Sequence, residues 1–310
     1  MIAYYSNLAM VSATVIYLLA LAAHAAEWAA ARGAVSTPAR EAVLVGAGGP
    51  VVASAVGAPD ERRIDQFGRV GLALTMVAAA CHLAGVVLRG VAANRLPWGN
   101  MYEFVASALL AVVIAYLVLA TRYGMRWLGL PVTLLLSVGL GAGVTVFYVA
   151  VAPLVPALHS VWFIIHIVAA AVAGAAFNVG GLASILYLIK ARAERRGRVG
   201  GYLARVPDLA RIDEVAYRAH AFAFPLWTFA VAAGAVWAEF AWGRFWGWDP
   251  KETWSLVTWV VYAGYLHARA TAGWRGTRAA WVAVVGLVAF WFNFVGINLL
   301  VSGLHSYAGI

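Results

Sequence analysis

Residues 103–122 read Glu-Phe-Val-Ala-Ser-Ala-Leu-Leu-Ala-Val-Val-Ile-Ala-Tyr-Leu-Val-Leu-Ala-Thr-Arg. One charge stands at each end and none lies between. A helix of this length rises about 30 Å, the thickness of the hydrocarbon layer of a bilayer. Similar apolar blocks recur on either side, at about 3–26, 68–90, 127–151, 161–189, 217–240, 253–272 and 279–302. Only 11% of the 310 residues are charged and 64% are hydrophobic, whereas a soluble domain carries about 25% charged residues. The predicted fold class is all-α, a polytopic transmembrane helical bundle of about eight spans.

The loops set the orientation. Residues 190–216 carry Lys190, Arg192, Arg195, Arg196, Arg198, Arg205 and Arg211, and the positive-inside rule places such a loop in the cytoplasm. Because helices alternate in direction, both termini and the loops 91–102, 152–160 and 241–252 are then extracytoplasmic. All but four of the 22 Lys and Arg fall on the cytoplasmic side, the exceptions being Arg89, Arg95, Arg244 and Lys251. Topology therefore accounts for the net charge of +9. The arginines form no continuous stripe, and a nucleic-acid partner is excluded on that ground.

Residues 27–67, rich in Ala, Gly and Pro, are expected to form a flexible cytoplasmic loop. The chain then divides into 1–66, a first transmembrane helix with its loop, and 67–310, a membrane domain. No signal-peptide cleavage pattern follows the first apolar block, so that block is expected to be retained as a helix. Cys81 is the sole cysteine and lies within an apolar block. It offers neither a disulfide nor zinc-ligand spacing and reads as a small packed residue.

Chemistry concentrates in residues 242–259. The run Trp242-Gly-Arg-Phe-Trp246-Gly-Trp248-Asp249-Pro-Lys251-Glu252-Thr-Trp254-Ser-Leu256, with Trp259 just beyond, packs five indoles around one polar island. Indoles gather in the interfacial belts of any membrane protein, which accounts for one or two per helix end, as with Trp127 or Trp281. A belt does not account for this crowding. A flat apolar shelf for a large planar aromatic ligand does. Asp249, Lys251 and Glu252 admit two readings: a cap and anchor for the seventh span, or, for Lys251 with Arg244, contact with the acidic groups of the ligand.

Depth separates the histidines. His166, about one turn into the fifth span, and His305, just past the eighth, lie level with the tryptophan loop. Two imidazoles there suit both axial positions of a haem iron. His267 lies about 21 Å deeper than the start of the seventh span, counting 1.5 Å per residue, and an ionisable side chain at such depth marks a functional site by default. His82, in the outer half of the second span, reads as a residue behind the site or at its entrance. His159, in an outer loop, is the rival to His166. His24 and His220, near cytoplasmic ends of spans, are expected to be half-solvated.

The tryptophan run followed by Leu266-His267-Ala268-Arg269 resembles the WWD signature of haem-handling membrane proteins, and most of all that of the CcsA/ResC family of System II cytochrome c biogenesis. Pro97-Trp98-Gly99-Asn100-Met101-Tyr102-Glu103, Pro156–His166 and Gly303-Leu304-His305-Ser306-Tyr307 are similar to three further family elements in the same order. Residues 1–66 carry nothing diagnostic of it. The resemblance implies that 67–310 is a CcsA-like cytochrome c assembly domain. It also implies a multi-pass protein of the plasma membrane that carries haem b (iron-protoporphyrin IX) to the extracytoplasmic face for thioether attachment to the CxxCH motif of apocytochrome c. His166 and His305 would ligate an external haem and His267 an intramembrane one. The other intramembrane ligand would come from a ResB/CcsB-type partner. The haem shelf would comprise Trp242, Trp246, Trp248, Asp249, Lys251 and Trp254. The chain would be a subunit of a cytochrome c haem lyase; the alternative is a haem exporter or chaperone without ligation activity.

Overall fold

The computed structural model describes residues 1–34, 45–46, 49–50 and 59–305. The long helices are α1 (Ile2–Ala34), α2 (Pro59–Ala93), α3 (Met101–Arg122), α4 (Gly129–Thr145, entered through a 3-10 turn Arg126–Leu128) and α5 (Val161–Arg195). After the single turn α6 (Tyr202–Arg205) come α7 (Leu209–Trp242), α8 (Pro250–Thr271) and α9 (Thr277–Trp291). The last of these continues through a π turn, Phe292–Gly296, into α10 (Ile297–Leu300). A two-residue antiparallel pairing joins Val45–Gly46 to Gly49–Pro50.

Seven of these helices are long and apolar enough to cross a membrane. The eighth, α8, has 22 residues but carries Lys251, Glu252, His267 and Arg269, which lower its hydropathy. The protein is an all-α, multi-pass membrane bundle. Its lateral surface exposes Val15, Val77, Ile114, Val138 and Val288, as a lipid-facing band requires.

Several helices run past the expected spans. Residues 27–34 prolong α1 because Glu27-Trp28-Ala29-Ala30-Ala31-Arg32 are good helix formers. Residues 59–67 open α2, where Pro59 stands at a helix start. Hydropathy marks only the buried middle of such helices and is silent on their polar ends. The rest of the expected flexible loop (35–44, 47–48 and 51–58) lies outside the described residues, as do Ser306 and Tyr307. Conversely, α4 ends at Thr145 rather than near 151, after the β-branched run Val144-Thr145-Val146 and where Arg89 takes the Val149 carbonyl at 2.7 Å.

Two halves pack side by side. In one, α1 lies along α2 and α4 around Met10, Tyr17, Leu109, Tyr116 and Leu136. In the other, α5 is flanked by α7 and α9, and α8 packs on α9 and α7, around Phe177, Trp227, Tyr262 and Phe290. His24 and His220 are both buried, not half-solvated. His24 lies against Gly71 of α2 and Gly129 of α4. His24 pairs with Glu27 at 3.3 Å, and His220 stacks among Phe177, Tyr262 and Tyr265. Gly180 makes room for it, since a Cβ there would lie 2.7 Å from the imidazole. His82 ties three helices. The Tyr17 hydroxyl donates to Nδ1 at 3.3 Å while Nε2–H donates to the Ala106 carbonyl at 3.0 Å.

At the tryptophan end, α2, α3 and the α4–α5 loop are fastened by one carboxylate. Glu103 accepts from Arg89 Nε at 2.8 Å, from Arg95 Nη1 at 2.7 Å and from the Gly99 amide at 2.7 Å. Arg95 reaches on to the Ala152 carbonyl at 3.2 Å. Removing one member of a buried ion pair leaves the other charges uncompensated, at a cost of about 3–5 kcal/mol. Glu103→Ala is therefore expected to depress the thermal midpoint in detergent sharply; an unchanged midpoint would show that the network does not brace the bundle.

Candidate functional site

The polar island is first a helix start. Asp249 is the N-cap of α8, with Pro250 in the first turn. Asp249 Oδ1 accepts from the Lys251 amide at 3.1 Å, and Glu252 Oε2 accepts from the Asp249 and Gly247 amides at 3.0 and 2.9 Å. Asp-Pro-Lys-Glu thus spells a capping box, which satisfies amides that the helix itself leaves unpaired.

The same carboxylate holds the C-terminal segment. His305 Nδ1–H donates to Asp249 Oδ1 at 2.8 Å and the Leu304 amide donates to Oδ2 at 2.8 Å. Burial alone would raise the Asp249 pKa, but the bonds from His305, Leu304 and Lys251 outweigh it and hold the carboxyl at about 2. Burial lowers the His305 pKa, and the Asp249 carboxylate offsets only part of that. The pair is therefore a carboxylate facing a neutral imidazole whose lone pair sits on Nε2, the tautomer that suits a metal ligand.

His166 is set the same way from another direction. Its Nδ1–H donates to the Ala230 carbonyl of α7 at 2.8 Å, which leaves the lone pair on Nε2. The ring fits because residue 234 is glycine; a Cβ there would lie 2.8 Å from Nδ1. One ring lies beside both imidazoles. Trp237 stacks on His166 with centroids 5.9 Å apart and planes 19° apart, and meets His305 edge-on at 5.8 Å. Trp242 adds a further contact to His305 at 5.0 Å.

Both histidines line one cavity with about 1290 Å³ of empty space between its walls, its open mouth included. On α5 the lining runs from His166 through Ala170, Ala171, Gly174 and Ala175 to Asn178, a smooth stripe about 18 Å long at 1.5 Å per residue. The opposite wall comes from the π turn, where one extra residue per turn brings Asn293, Phe294 and Asn298 to face inward. Lys251 Nζ donates to Asn298 Oδ1 at 2.8 Å and to the Phe294 carbonyl at 3.4 Å. Its hydrogen-bond partners are thus neutral oxygens on the cavity wall.

The structure brings His166, His305, Trp242, Trp246 and Lys251 together on this cavity, with Asp249 behind His305. It sets three other expected residues apart. Trp248 is 67% exposed, adopts a left-handed φ of 60°, and leans edge-on against Trp246. Trp254 packs on Phe292 at 4.3 Å. His267 faces outward from α8 on an exposed stripe with Val257, Val260 and Gly264. Arg244 bonds the Gly247 carbonyl at 3.2 Å and closes its own loop. His159 is exposed.

Sequence reasoning missed Trp237, because a single indole near the end of an apolar block reads as an interfacial belt residue. The run Trp237-Ala-Glu-Phe-Ala-Trp242, two indoles on the last turns of one helix, was the available signal. Asn298 was missed because no α-helical periodicity foresees a π turn.

Comparison with known proteins fits this architecture. Residues 98–305 match the family described as Cytochrome C assembly protein. The chain belongs to that family, within its CcsA group. It is 36% identical to the cytochrome c biogenesis protein CcsA of Chlamydomonas reinhardtii (72% of this chain, 64% of that protein). It is 33% identical to CcsA of Guillardia theta (79% and 88%) and 35% identical to CcsA of Synechococcus elongatus (80% and 89%). A solved structure, the cytochrome c heme lyase CcmF, superimposes with a TM-score of 0.64 at 16% identity. That match covers 95% of this chain and 46% of CcmF, a likeness of fold. As a CcsA-family member the chain acts in cytochrome c biogenesis.

The fit of His166 against Gly234 gives a steric test. Gly234→Val should overpack the α5–α7 contact, cost about 1–3 kcal/mol, and turn the imidazole off the Ala230 carbonyl. A lower melting midpoint together with a displaced His166 ring in a cryo-EM map is the expected result; an unmoved ring would contradict it.

Proposed function

We propose that this chain binds haem b as its substrate between His166 and His305, at the extracytoplasmic face of the plasma membrane. There it presents the haem for thioether attachment to apocytochrome c, as the membrane component of the System II synthase. The observation that carries this reading is the pair of Nε2-presenting imidazoles beside one indole on one apolar cavity. Haem is large, planar and apolar on both faces, and its iron takes two imidazoles. At about 25 cal/mol per Å², covering a few hundred Å² of porphyrin supplies several kcal/mol before ordering costs.

The attachment adds each cysteine S–H across a haem vinyl group. The carbon–sulfur bond forms at the vinyl carbon beside the ring, and the thiol proton ends on the terminal carbon. Both thiols come from the CxxCH segment, so the synthase has to orient the vinyl edge and hold the iron rather than supply a nucleophile. Asp249 anchors His305 at Nδ1 and sets its tautomer. Lys251, bonded only to neutral oxygens, suits a haem propionate, where charge-assisted pairing fixes which edge faces outward. The arginine-rich end of the bundle would lie in the cytoplasm.

His267 supports the partner reading. An imidazole directed out of a membrane helix is unfavourable against lipid. The stripe Val257, Val260, Gly264 and His267 suits a helix of a ResB/CcsB-type protein bringing the second ligand of an intramembrane haem.

The test is assembly of a CxxCH reporter in cells expressing the chain with its partner. His166→Gly and His305→Gly are each expected to cut holocytochrome yield at least tenfold, with partial recovery on added imidazole. Normal yield from both single variants would remove the ligand assignment. Asp249→Asn keeps an N-cap but loses the charged acceptor of the His305 bond. Such a change typically costs about 10–100-fold in metal affinity, and should appear as haem lost during purification.

A further inference from the structure

The Nδ1 of each proposed ligand is held by a hydrogen bond, His166 to Ala230 and His305 to Asp249. One such bond sets where an imidazole sits but leaves the ring able to swing about it. A second contact has to fix the plane. For both rings that contact includes the same indole, stacked on His166 and edge-on to His305.

The indole is itself held from several sides. It is 2% exposed. Its Nε1–H donates to the Ala157 carbonyl at 2.8 Å. Phe163 packs against it at 5.2 Å and Trp242 at 4.9 Å. Ala157 belongs to the short turn Pro156–Leu158, in the same α4–α5 connection whose Ala152 carbonyl is tied to the Arg95–Glu103 network. A rigid, tethered ring therefore lies beside both an imidazole from α5 and one from the C-terminal segment.

We infer that Trp237 is the positioning residue that sets the spacing and relative ring planes of His166 and His305, and so decides whether iron between them is six-coordinate. The inference rests on the haem-ligand reading above. Trp237 supplies no bond to iron; it holds the two groups that do.

The test is the absorption and electron paramagnetic resonance spectrum of the full chain, purified with the haem it carries. Trp237→Phe keeps an aromatic ring and is expected to retain the six-coordinate low-spin signature. Trp237→Leu removes the ring. It is expected to keep haem but lose at least half of the low-spin signal to a five-coordinate high-spin form, with at least a tenfold fall in reporter assembly. Should the leucine variant fail to accumulate, Trp237→Met, whose unbranched chain fills irregular gaps, is read against the same two outcomes. A residue that only filled space would lower the yield of protein without changing the spin state of what remains, and that result would overturn the inference. Loss of the low-spin form in Trp237→Phe as well would also overturn it, since ring contact would then be insufficient. His166→Gly separates the two levels. If it changes the spectrum and Trp237→Leu does not, only the role of Trp237 fails. If His166→Gly leaves the spectrum unchanged, the ligand reading fails and takes this inference with it.

Discussion

A carboxylate cut off from bulk water is tolerable only if donors converge on it. Asp249 meets that requirement with donors from two parts of the chain: the Lys251 amide of its own helix start, and the Leu304 amide and His305 ring of the C-terminal segment. Satisfying one buried charge thereby fixes the first turn of α8, the entry of the tryptophan loop and the last described residues of the chain. The cap reading and the site reading of Asp-Pro-Lys-Glu are one arrangement. The geometry that starts the helix also aims the imidazole.

A second buried carboxylate organises the neighbouring wall. Glu103, near the start of α3, gathers Arg89 and Arg95. Those arginines reach the Val149 and Ala152 carbonyls of the α4–α5 connection. The outlying cations Arg89 and Arg95 are therefore structural, held by a partner that hydropathy counting does not see. Chance surface pairs contribute little, whereas these side chains are enclosed and their removal leaves charge stranded.

Much of this was legible in the sequence, for physical reasons. Blocks of apolar residues at bilayer length announce membrane helices, and a Pro and Glu placed after Asp announce a helix start. His166, His305, Trp242, Trp246 and Lys251 could be grouped because depth along a helix follows from counting residues. What counting does not provide is direction around the axis. Trp248 and Trp254 share the loop and helix start of the shelf residues yet turn elsewhere. His24 and His220 sit at levels where water was expected, but glycines on neighbouring helices, and for His220 three aromatic rings, let those helices close on the imidazoles. Trp237 lies inside an apolar block, where one indole near a helix end reads as an ordinary interfacial residue.

The π turn at Phe292–Gly296 has a consequence of its own. Each residue of an α-helix advances the chain by about 100°, so one extra residue rotates everything that follows. Asn298 meets Lys251, and the tail beyond it meets Asp249, only because that surplus residue is accommodated. The end of this chain is thus specified by tally as much as by spelling. Forcing the five residues present into α-helical spacing would aim the last ligand at the wrong wall, whereas removing one of them would let the turn close as ordinary α-helix and leave the segment beyond in place.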